Sequence, residues 1–221
     1  MRKKPFLLLF ALFLFMACTQ DDESVYSCDE TMNNWVKQNM FQIRLMTRSD
    51  WKLLEDSKKI PAYRAFSTKQ KIDFWHQKFE EVKNLKWTSD ELKHIKSAEN
   101  FLNNHLDFFE NRKLTDNQSD ELDMFFYSWL QQGMKDFGWS QSVGLAIVAS
   151  GEVITDTKGG IILKTPSPGN NEEEIPNCQC HAGNSFTVCG QYSSCEDVEC
   201  LSGYDGCGWL LFQECNGRCV D

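Results

Sequence analysis

Past residue 17 this sequence contains no long apolar run, which excludes a protein that crosses a bilayer by helices, since each span needs roughly 18 or more apolar residues. Catalytic signatures are missing as well: there is no H-E-x-x-H, no G-x-S-x-G and no phosphate-cradling glycine loop. Histidine is scarce, and no two of His76, His94 and His105 stand four apart, the spacing that sets paired imidazoles on one metal. The neighbouring carboxylates Glu80 with Glu81 and Asp120 with Glu121 read as solvated helix faces. The expectation is a protein that is not an enzyme and holds neither metal nor cofactor. Positive charge is also in short supply, with 23 Lys and Arg against 32 Asp and Glu and a formal charge of −9. Such a surface repels phosphate backbones, so nucleic acid is not an expected partner.

What is present begins with a basic start at Arg2, Lys3 and Lys4 and an apolar run from Phe6 to Ala17, the pattern of a secretory signal over residues 1–17. Its end, "LFMAC", resembles the lipobox of bacterial lipoproteins, and that resemblance implies acylation of Cys18 as the mature N-terminus. The acidic tether that follows, residues 18–26, resembles export signals on surface lipoproteins of Bacteroidetes. Thr19, rather than Asp, at the second mature position favours the outer membrane over inner-membrane retention. The expected location is the outer membrane, lipid-anchored, at the cell surface, with its periplasmic face as the alternative. Loss of the signal takes the charge from −9 to −12, so attachment to the membrane rests on the acyl chains alone.

From 27 to 150 the apolar spacing predicts an irregular helical bundle. Met32, Val36, Met40, Ile43 and Met46 share one helical face, and Ile72, Trp75, Phe79 and Val82 repeat the pattern behind a cap at Ser67. "TSDE" is a capping box from Thr88 to Glu91 that opens a helix carrying Leu92, Ile95, Leu102, Leu106 and Phe109. A further helix from near Ser119 carries Leu122, Phe126, Trp129 and Leu130, and Gly138 ends it. "SQSVGLAIVAS" is read as a last short helix, and six tryptophans from Trp35 to Trp139 supply apolar area.

Residues 151–176 contain Pro166, Pro168 and Pro176, which exclude continuous helix and predict a linker with a short strand at 161–163. The remainder, 177–221, holds Cys178, Cys180, Cys189, Cys195, Cys200, Cys207, Cys215 and Cys219, eight of the ten cysteines in the chain. So short a module buries too little apolar surface to hold itself, and an exported chain meets oxidising conditions, so the eight predict disulfides rather than a zinc site. Their pairing stays open. A Cys178–Cys180 ring is too strained, and the Asn216-Gly217 turn makes Cys215–Cys219 one candidate. Cys28 is left over. Trp209, Leu210, Leu211 and Phe212 are a candidate contact patch, or else the tail's own small core.

The residues "NCQC" at 177–180, Cys189, Cys195, Cys200, "GCGW" at 206–209 and "CNG" at 215–217 resemble fulvocin C, a small cysteine-rich bacteriocin, and the fulvocin C-related lipoproteins of Bacteroidetes. The segment 60–80 resembles the helical part of those lipoproteins. The resemblance departs at Gln213, where that pattern has a cysteine that this chain places at Cys219 instead. It implies a lipid-anchored bacteriocin or bacteriocin precursor. The tail's own charge of −5, from Arg218 against six acids, argues against attack on anionic lipid. A receptor on target or neighbouring bacterial cells is then the expected partner. The alternative is a surface interaction module that binds without killing.

Overall fold

The computed structural model describes residues 26, 27, 29–110, 114–161, 194–197, 206–213 and 217–220, and for 194–197 and 218–220 the backbone alone. The described chain is mainly helical. Local sequence sets many of the boundaries. Thr47, Ser67, Thr88 and Thr115 each close a reciprocal capping box with Asp50, Gln70, Glu91 and Gln118, opening α3 (Arg48–Trp51), α5 (Thr68–Lys83), α6 (Ser89–Asn104) and α7 (Asp116–Phe137). The cap expected at Ser67 and the box expected at Thr88 are therefore present, the former as a full box, and α7 starts a few residues before Ser119. It ends at Gly138, which takes the left-handed conformation at φ 67°. The ambiguous apolar run forms α8 (Gln141–Val148).

The single face expected over 32–46 is broken. Helix α1 (Glu30–Gln38) stops at Asn39, whose backbone leaves the helical region and whose side chain donates to the Trp35 carbonyl at 2.7 Å. A short α2 (Met40–Ile43) follows. Leu106 and Phe109, expected on α6, sit instead on a separate 3-10 turn, Leu106–Phe109. Helix α4 (Asp56–Ala65) has no apolar stripe and contains Pro61, yet Ala62, Tyr63 and Ala65 are buried, because neighbours cover several of its sides.

Aromatic rings meeting edge to face make the centre of the core: Phe74 meets Trp51 at 4.9 Å and Tyr63 at 5.2 Å. Helices α6 and α7 are cross-locked by His94 and Trp129, stacked at 4.8 Å and 3°. Each donates a ring N–H to the other's backbone carbonyl at 2.9 Å. Burial holds the His94 imidazole below its ordinary pKa, against the bond to that carbonyl. This histidine is a structural clamp.

The linker expected from Gly151 does not begin there. Residues 151–161 lie on the body as a strap, with Ile154 buried and bridged to Ile161. Arg48 donates to the Gly151 carbonyl through Nε at 3.2 Å and Nη2 at 2.9 Å, and grips Glu81 with both ends of its fork. Lys59 pairs with Glu152 at 2.6 Å, and Lys78 donates to the Glu152 carbonyl. Close approach requires glycine at 151, where a Cβ would stand 2.6 Å from Phe74 and 2.7 Å from Trp51.

Candidate functional site

The segment Gly206–Gln213 folds back on itself before it meets the helices. Cys207 and Gln213 exchange both backbone hydrogen bonds, at 3.0 and 2.9 Å, and the Gly206 N–H donates to Leu211 at 2.8 Å. Inside this clasp lies a 3-10 turn, Trp209–Leu211, whose Trp209 N–H also donates to the Gln213 side chain at 3.1 Å. The turn is tight enough to force left-handed backbone. Gly208 stands at φ 63°, and a Cβ there would fall 1.8 Å from Gln213 Oε1. Leu210 and Leu211 take φ 51° and 57°, which costs a non-glycine residue about 1–2 kcal/mol each.

Packing against the helical body offsets that cost. Trp209 stacks on Phe126 of α7 at 5.7 Å and 22°, and Phe212 meets Phe109 at 4.3 Å and Phe108 at 5.9 Å. Burying four side chains of this size contributes about 1.5–3 kcal/mol apiece, which exceeds the strain. Polar contacts fix the register. Trp75 Nε1 donates to the Tyr63 hydroxyl at 3.0 Å, that hydroxyl donates to the Leu210 carbonyl at 3.3 Å, and Gln213 Nε2 donates to Asp123 at 2.9 Å.

The contact patch expected at Trp209, Leu210, Leu211 and Phe212 is therefore not exposed. All four are buried, Leu210 completely, and their partners include helices 83 to 147 residues earlier in the chain rather than the tail alone. The two readings, a contact patch or the tail's own small core, both treat the module as isolated; the aromatic cleft of the body takes these side chains instead. The signal that would have found this is the complementary aromatic surplus of the "DFF" and "DMFF" stretches at 107–109 and 123–126.

Of the predicted cysteines, Cys207 is buried and disulfide-bonded at the edge of the clasp. Cys195 and Cys219 are directly opposed backbone partners in a two-stranded antiparallel ribbon, β1 (Ser194–Asp197) with β2 (Gly217–Val220). Cys178, Cys180, Cys189, Cys200 and Cys215 lie outside the described residues, as do Cys18, Cys28 and the expected linker beyond 161.

No family model, curated protein or solved structure matches this chain. The chemistry of the site must therefore be taken from its own groups. Among the described residues no three His, Cys, Asp or Glu side chains converge as a metal site, and no helix is long and apolar enough to cross a membrane. Among the described residues the one strongly perturbed amine is Lys78, pushed down to about 7 by complete burial and then by the Arg48 guanidinium. It is sealed beneath the strap, so its role is to hold the Glu152 carbonyl. Burial raises the carboxyl of Glu152 above its ordinary range despite Lys59. At Glu81 burial acts in the same direction, but the bonds from Arg48 and Lys52 prevail and hold it low.

Proposed function

We propose that this chain is an exported, Cys18-anchored surface protein whose helical body carries a disulfide-stapled, fulvocin C-like C-terminal module as an interaction device. The observation supporting this reading is the burial of Trp209, Leu210, Leu211 and Phe212 in the helices. A module held by four apolar side chains is built to be displayed from the body. A freed tail would carry those same side chains into water. The bacteriocin reading comes second, and the left-handed Leu210 and Leu211 favour it, because stored backbone strain eases withdrawal of the segment.

One experiment separates the two. A protease site inserted beside Pro168 is cut in the oxidised full chain, and the products are run on a sizing column and then spotted on related strains. Co-elution of both pieces without killing supports display. Departure of the tail with killing supports the bacteriocin, and departure with neither killing nor cell binding rejects both.

A further inference from the structure

Helices α6 and α7 also line a groove, of about 720 Å³, whose described lining includes no residue of Gly206–Gln213. Its floor is a stack of three rings: His105 lies on Phe101 at 4.1 Å and 25°, and Phe101 lies on Phe125 at 4.1 Å and 19°. Met124, 73% exposed, stands beside them. The two ring nitrogens of His105 are engaged, Nδ1 with the Phe101 carbonyl at 2.7 Å and Nε2 with Glu121 at 3.0 Å. The Glu121 carboxylate is thereby tied beside the ring stack. Asp120, next to it, is exposed and makes no side-chain hydrogen bond or ion pair among the described residues.

Among the described residues no lysine or arginine lines this groove, and its carboxylates are Asp120 and Glu121, the latter bonded to His105. Aromatic faces carry negative potential, and the Asp120 carboxylate beside them adds to it. An anionic ligand is repelled. A purely apolar one would cover that carboxylate without pairing it, at a cost in desolvation. A cationic head on an apolar stem satisfies both features, and the volume falls within the range of side-chain-sized ligands. We propose that the α6–α7 groove binds lysine or arginine side chains of a basic peptide segment in a partner protein. This proposal depends on neither the lipid anchor nor the fate of the tail.

The test titrates the oxidised full chain with the peptide acetyl-Lys-Leu-Arg-Leu-Lys-amide and with its counterpart bearing Glu at the three basic positions. The Met124 methyl resonance, assigned through Met124→Leu, reports groove occupancy. The expected result is a saturable shift with the basic peptide alone, and an affinity about tenfold weaker in the double variant Asp120→Asn, Glu121→Gln. Raising salt from about 0.05 M to about 0.5 M weakens wild-type binding in the same direction, which keeps the test sound if the variant is misfolded. An equal shift with the acidic peptide, no saturable shift with the basic one, or salt-insensitive binding would each overturn the proposal.

Discussion

The Tyr63 hydroxyl donates to the backbone carbonyl of Leu210, 147 residues further along the chain, while accepting from the indole of Trp75. One buried oxygen thus couples α4, α5 and the C-terminal segment. Tyr63→Phe removes the donor to Leu210 and the acceptor for Trp75 together, leaving two buried polar groups unpaired. Its expected cost is about 1–3 kcal/mol in urea unfolding.

Trp209→Ala empties the site against Phe126 and is expected to cost about 3–5 kcal/mol, with Phe212→Ala of the same order. Equilibrium unfolding of the oxidised full chain measures both. If neither variant loses stability, the segment does not contribute to the core.

Two glycine substitutions should separate by position. Gly138→Ala meets open space and pays only the left-handed backbone, roughly 1 kcal/mol. Gly208→Ala adds a collision with the Gln213 side chain to the same kind of backbone cost, and is expected to expel the segment. Protease susceptibility near residue 209 is the readout.

The depressed pKa of Lys78 makes stability depend on pH. The unfolded chain keeps this proton up to about its ordinary 10.5, whereas the folded chain releases it above about 7. More protons are bound in the unfolded state across that window, so stability climbs as pH rises through it and the penalty is complete below about 7. Lys78→Met should flatten the climb between about pH 7 and pH 10 relative to wild type, as followed by urea midpoints. Parallel curves for the two proteins would contradict it.

Metabolic labelling with a fatty acid tests the anchor: the label on the wild type should be absent from Cys18→Ala.

Much of the bundle was legible because its signals are local. The cap at Ser67, the capping box at Thr88, the apolar stripe of α5 and the glycine stop at Gly138 each involve residues within a few positions of one another. Helix α4 was not legible, since burial on several sides erases amphipathic period and Pro61 reads as a breaker. The strap from Gly151 was hidden for a different reason. Its partners Arg48 and Lys78 stand far back in the chain, and glycine with a short polar run looks the same whether it is docked or solvated. The seat of Trp209 through Phe212 was the largest loss, because a four-residue apolar run announces burial without naming what covers it.

A ribosome makes residue 212 long after Phe108, Phe109 and Phe126 have been built. Until then those three rings lack the cover that Trp209 and Phe212 give them. A chain that stops short leaves an open aromatic cleft, the kind of surface that chaperones and proteases seize. The closing of this core thus waits on synthesis beyond residue 212: until then the helical body stands with its aromatic cleft uncovered.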